Sequence, residues 1–127
     1  MSIKSEIEKW KKVNDDDHLY NASMVDINAV PDKKYPWLKI YYELSTFNRH
    51  RVDGPAWVGD LGLSWWINGK RHRLYAPAFM ILNKKNKWFI NNIDITNEVS
   101  EWIKQNNYPR YTKWDNDIKL HFKLRFT

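Results

Sequence analysis

Apolar residues recur at helical spacing where the chain begins. Ile3, Ile7, Trp10 and Val13 fall on one side of residues 2–13 with Lys and Glu between them, which predicts an amphipathic helix with a solvated charged face. The run Asp15-Asp16-Asp17 would oppose the negative end of that helix, so it is assigned to a loop pointing away. Consecutive side chains converge poorly on one ion, and Asp15, Asp16, Asp17 and His18 are therefore not read as a metal site. A short strand is expected over "MVDIN" (24–28), and two prolines make "PDKKYPW" (31–37) a loop. In "WLKIYYEL" (37–44) the pattern switches to period two. Leu38, Ile40, Tyr42 and Leu44 share one face and Trp37, Lys39, Tyr41 and Glu43 the other, the signature of a half-buried strand.

Towards the end, "DITNEVSEWIKQNNYP" gathers Val99, Trp102 and Ile103 on one face, carries Glu98 and Glu101 early, and stops at Asn106-Asn107 before Pro109. This predicts a second helix lying on the sheet. In "DIKLHFKLRF", Ile118, Leu120, Phe122, Leu124 and Phe126 alternate with Lys119, His121, Lys123 and Arg125, which predicts a final strand with one apolar and one basic face. Lysines on the open side of a strand also discourage edge pairing. Asp115 and Asp117, just before it, are read as turn residues.

Between these elements the chain repeats itself. His50, Arg51, Pro55 and Ala56 recur 22 residues later as His72, Arg73, Pro77 and Ala78, and "WWING" (65–69) recurs 23 residues later as "WFINN" (88–92). The additional residue falls in "NKKN". Asn68-Gly69 is the strongest two-residue hairpin signal in the chain, because a type I′ turn requires positive φ at both positions, and Asn91-Asn92 tolerates the same backbone less well. A repeat of this period implies stacked β-hairpins, each needing its neighbours to bury its apolar face.

At these residues the chain resembles the W-x-x-N-G-x-x-H-R-x-D-G-P-A unit found in tandem in proteins of tailed bacteriophages and some bacterial proteins, which is loosely similar to variant MORN repeats. The unit is present once well, as His50 to Gly69, and once degraded, with Tyr75-Ala76 in place of Asp53-Gly54. The match covers about a third of the chain. The resemblance implies β-hairpins and a phage setting, and it implies no particular activity.

Within "RHRV" and "RHRL" a strand places His50 with Val52 and His72 with Leu74 on the core side, and Arg49, Arg51, Arg71 and Arg73 on the other. The histidines then read as packed rings, each satisfied by a neighbouring turn. No third ligand or nucleophile recurs with them at fixed spacing, so neither a metal site nor a catalytic base is expected. The arginines of adjacent hairpins should form a ridge, extended by Lys70 and flanked by Trp66. Such a ridge could grip phosphates while aromatics stack bases, or dock on an acidic protein surface, or lie over Trp rings and stabilise the fold. If Lys119, Lys123 and Arg125 of the final strand join it, one continuous positive patch results.

Composition narrows the function classes. The chain of 127 residues carries eight Trp and no Cys, which excludes disulfides, Cys-based zinc sites and thiol catalysis and fits a reducing compartment. No apolar run approaches a membrane span, and the charged start lacks a signal-peptide core, so a cytoplasmic protein is expected, in the host cytoplasm if phage-encoded. The net charge of +6 favours anionic partners. No Gly-rich phosphate loop, Ser-His-Asp order or metal spacing is present, and no cofactor is expected.

The sequence thus predicts one α+β domain over 1–127: a helix and acidic loop (1–17), a strand and two hairpin repeats in an antiparallel meander (37–93), and a helix before a final strand (94–127). Its expected role is that of a non-catalytic module docking onto a host or phage protein with an acidic surface. The alternative is nucleic-acid binding by the same patch, and in either reading the binding residues are Arg49, Arg51, Trp66, Lys70, Arg71, Arg73, Lys119, Lys123 and Arg125. Exposed sheet edges offer a route to a homodimer.

Overall fold

Helix α1 (Ile3–Lys12) turns its apolar stripe inward: Ile7 is buried, and Ile3 and Trp10 pack beside it. The computed structural model describes residues 2–12, 22–26, 38–43, 46 and 48–127, so the expectations for the acidic run and for the 31–37 loop lie outside the described residues. Strands β1 (Ala22–Asp26), β2 (Leu38–Glu43), β3 (Trp57–Gly59) and β4 (Gly62–Ser64) form an antiparallel sheet that β7 (Phe79–Ile81) completes, in the order β1-β2-β3-β4-β7. Two hairpins stand apart from this sheet, β5 (Trp66–Ile67) with β6 (Lys70–Arg71), and β8 (Phe89–Ile90) with β9 (Ile93–Asp94). Helices α2 (Thr96–Asn106) and α3 (Asn116–Phe126) follow. The class is α+β, as expected, and among the described residues no helix is long and apolar enough to cross a membrane.

The repeat is a repeat of hydrogen bonds. Tyr41 N–H donates to the Ala56 carbonyl at 2.8 Å, and Trp65 N–H to that of Ala78 at 2.8 Å. His50 N–H donates to Tyr41 O and His72 N–H to Trp65 O; Arg51 N–H donates to Trp66 O and Arg73 N–H to Phe89 O. Each unit also holds the turn of the next. Gly69 N–H donates to Arg49 O and Asn92 N–H to Arg71 O, while the Nδ1 atoms of His50 and His72 accept from the backbone N–H of Asn68 at 3.0 Å and Asn91 at 3.1 Å. Both turns have the expected positive φ, 50° and 79° at Asn68-Gly69 and 47° and 72° at Asn91-Asn92.

A third unit starts and is diverted. Ile95 N–H donates to Trp88 O where a histidine would, and the Trp88 N–H, which would next seek a carbonyl, donates to the Thr96 hydroxyl at 3.0 Å. Thr96 opens α2, so the helix closes the hairpin stack by satisfying its last open donor. The Asp94 carboxylate accepts from Thr96 N–H and hydroxyl, and these bonds hold its pKa below the ordinary value.

Three expectations are corrected, and the core proves to be divided. Residues 116–126 form α3, a helix and not a final strand: Asp115 caps it by accepting from Ile118 N–H at 2.9 Å, Asp117 sits in its first turn, and Lys123 and Arg125 in its last. Phe122 is buried, Ile118 and Phe126 pack beside it at helical spacing, and Leu120 and Leu124 are exposed. The Tyr41 face of β2 is covered too, since Ile40, Tyr41 and Glu43 are all buried. Residues 51–56 and 73–78 are irregular, so period two fails there: Arg51 is only 4% exposed while Val52 is 63% exposed, the reverse of the strand reading. Finally, the buried side chains fall into two clusters, one of Ile7, Val58, Leu63, Trp65, Met80 and Phe89 with Ala78, the other of Trp88, Ile90, Val99, Trp102, Trp114 and Phe122.

Candidate binding surface

Trp66 sits on β5 directly across the hairpin from Arg71, an arrangement fixed by the Asn68-Gly69 turn. Its indole N–H donates to the Ser64 hydroxyl at 2.7 Å, which orients the ring. The Arg49 guanidinium lies 5.0 Å from the indole centre and that of Arg71 5.3 Å. Arg71 also lies over Phe89 at 5.2 Å and Phe79 at 5.7 Å, and its buried Nε has no hydrogen-bond partner. Pre-set contacts of this kind leave little side-chain entropy to lose when a partner arrives. Beside the indole is an open cavity of about 260 Å³, walled by Trp57, Leu61, Phe79 and Ile81 with Arg49 and Arg71 at its edge. Lys70, exposed on β6, stands across the hairpin from Ile67 and does not line this cavity.

The four arginines do not form one ridge. Arg51 and Arg73 turn inward, each donating from Nη1 to a proline carbonyl four residues on, Pro55 at 3.2 Å and Pro77 at 3.0 Å. The Arg51 guanidinium lies over Tyr41 at 4.4 Å and Trp10 at 5.0 Å, and that of Arg73 over Trp65 at 3.6 Å. Burial pushes Arg73 down to about 10, partly countered by Tyr111 and Glu6, so it remains charged at neutral pH. For this inner pair the fold-stabilising alternative describes the geometry, and neither lines the Trp66 cavity.

Nor does the C-terminal segment extend the patch. Lys119 reaches over Tyr75 at 6.0 Å, Arg125 lies against Phe126 and shares a shallow cleft with Glu98 and Glu101, and Lys123 is exposed on the last turn of α3. None of the three lines the Trp66 cavity. Of the residues singled out from sequence, the fold therefore brings together Arg49, Trp66 and Arg71, while Lys70 lies on the same hairpin outside the cavity. Trp57 and Phe79 escape the sequence reading, although a signal is present: they follow Pro-Ala in both units and are equivalent positions of the repeat.

Comparison with protein-family models, with curated proteins and with solved structures finds no match to this chain.

Proposed function

We propose that the chain is a small non-catalytic binding module of the phage type, which docks onto an acidic surface of a host or phage protein in the host cytoplasm. The observation that carries this reading is the half-buried Trp66 held between the Arg49 and Arg71 guanidiniums beside an aromatic-walled cavity. Trp and Arg bordering a small apolar depression are the composition of interface hot spots. A carboxylate of the partner would meet the two guanidiniums through charge-assisted hydrogen bonds, and a neighbouring apolar side chain would enter the cavity.

Nucleic-acid binding is the weaker reading. Two of the four arginines are committed to the interior, and guanidiniums already lie over the indole on which a base would stack.

Affinity capture from a host lysate, with and without nuclease, separates the two. The proposal expects a protein partner that survives nuclease and is lost with Arg49→Ala/Arg71→Ala in a variant that still folds. Loss of all captured material on nuclease treatment would overturn it.

A further inference from the structure

A second cleft, of about 450 Å³, opens where α1 meets the two repeated units, with Trp10, Trp65 and Ile67 among its walls and Arg51, Asp53, His72 and Arg73 as its polar side chains, Asp53 lying at the Arg51 end. It is separate from the Trp66 cavity and shares no lining residue with it. The two arginines in it hold equivalent positions in the repeat but differ in their counter-charge. Arg51 has the Asp53 carboxylate 3.9 Å from its Nε. In the second unit Tyr75 stands where that aspartate would be, and among the described residues no carboxylate lies within ion-pair distance of Arg73.

A guanidinium withdrawn from water is costly unless its charge is met. The Trp65 ring covers one face of Arg73, Pro77 O and Met80 Sδ accept from its Nη1 and Glu6 acts on it from beyond ion-pair distance, which leaves the Nε and Nη2 donors of the fork open to a ligand. His72 contributes a defined donor to the same cleft. Its Nδ1 accepts from Asn91 N–H, so in the neutral ring the proton resides on Nε2.

We propose that this cleft binds a carboxylate carried on a flat apolar body, the carboxylate taking beside Arg73 the place that Asp53 holds beside Arg51. The planar fork of Arg73 matches a carboxylate in two-point contact, the His72 Nε2–H adds a neutral donor, and the indole and aliphatic walls suit a flat ring better than a hydrated phosphate. The acid is either a free small molecule or the free end of a peptide.

The test is an NMR titration of the full chain with benzoate, with benzamide as the uncharged control. Benzoate is expected to move the Trp65 indole and Arg73 side-chain resonances saturably, and benzamide to leave them in place. A peptide ending in phenylalanine, as free acid and as amide, identifies the source: tighter binding of the peptide acid than of benzoate supports a chain end, and the reverse order a free acid. Tyr75→Asp supplies the missing carboxylate from within and should weaken benzoate about tenfold or more, the scale of one charge-assisted contact. Because Tyr75 also packs edge-on against Phe122, Arg73→Lys is the second variant, keeping the charge, removing the fork, and expected to weaken benzoate similarly. Equal shifts from benzoate and benzamide, shifts confined to the Trp66 hairpin, or undiminished benzoate binding by either variant while folded would overturn the proposal.

Discussion

The two repeated units share a backbone scheme and differ in what presses on them. The first is covered by α1: a Cβ on Gly54 would stand 2.8 Å from Trp10 Cζ3 and 2.9 Å from Arg51 Cζ, so any side chain there would force one of them to shift. The second carries Ala76 at the equivalent position, buried without conflict. There the C-terminal helices press instead. Leu74 and Tyr75 pack against the second cluster, and Tyr75 adopts φ of 67°, which a bulky residue accepts only when its surroundings hold it. The hydrogen bonds are therefore dictated by the repeat, while the residues at 53/75 and 54/76 are dictated by whichever helix lies over the unit.

The sharpest way to break this comparison is to truncate the inner arginines. Arg51→Ala should cost about 3 kcal/mol, because it empties a site enclosed by two aromatic rings, leaves Pro55 O without its donor and removes the positive charge beside the exposed Asp53. Arg73→Ala, which leaves no carboxylate behind, should cost about 1–2 kcal/mol. Urea unfolding of both variants checks the order; equal costs, or a larger one at Arg73, would show that the counter-charge does not distinguish the units. Next in size, Gly54→Ala should lose about 1–3 kcal/mol through overpacking against Trp10, whereas Ala76→Gly removes one buried methyl and should lose about 1 kcal/mol. If the alanine is silent at 54, α1 does not press there.

The two hairpin turns give a smaller contrast. Gly69 has φ of 79°, and a Cβ there would stand 3.0 Å from the Asn48 side chain, so Gly69→Val should cost about 1–2 kcal/mol in thermal unfolding. Asn92→Gly relieves a positive φ but removes the Oδ1 that accepts from Arg71 N–H at 3.4 Å, and should stay within about 0.5 kcal/mol of wild type. The smallest effect is acid sensitivity at His72. Burial lowers its pKa from 6.5, so the unfolded chain takes the proton first and stability falls as pH drops below 6.5. Protonation of Nδ1 would also break the bond from Asn91 N–H. His72→Asn keeps an acceptor near that position and should flatten the stability profile between about pH 7 and pH 5, the range in which ordinary histidines titrate; an unchanged slope would remove His72 as its source. Asp94, held low by the Thr96 hydroxyl, acts in a different window, its contribution being present above 3.8 and lost as pH falls further.

Much of this is legible in the chain where a local rule governs the outcome. Ile3, Ile7 and Trp10 announce α1, Asn68-Gly69 its turn, and the doubled His-Arg the stacked hairpins. The histidines read as rings satisfied by neighbouring turns, and they are, although half-buried. What fails does so for identifiable reasons. In "DIKLHFKLRF" the apolar residues satisfy period two, but Ile118, Phe122 and Phe126 also satisfy helical spacing. The tie is broken by the Asp115 cap and by Trp102 and Trp114, which lie 5.9 Å and 5.7 Å from Phe122. Such a cluster is visible only after folding. A strand running through 51 and 73 would join the inner and outer arginines, but the backbone turns there and brings each guanidinium back to a proline carbonyl. For the candidate surface, Arg49, Trp66 and Arg71 are neighbours as the sequence predicts, while its apolar walls at Trp57 and Phe79 require the alignment to run two residues beyond Pro55 and Pro77.

The central claim is that the repeat divides its arginines into an inner pair turned onto proline carbonyls and an outer pair at the Trp66 cavity, the pair that docks in the function proposed above. Binding of random-sequence DNA and RNA across a salt series tests it most directly, since the slope of log affinity against log salt counts the phosphates contacted at nearly one unit each. With Arg49 and Arg71 at the cavity and Lys70 exposed on the same hairpin, the slope should be no steeper than about −3, and binding should be weaker than micromolar at physiological salt. A slope of about −4 or steeper, with micromolar binding at physiological salt that Arg51 or Arg73 variants weaken while folded, would contradict it.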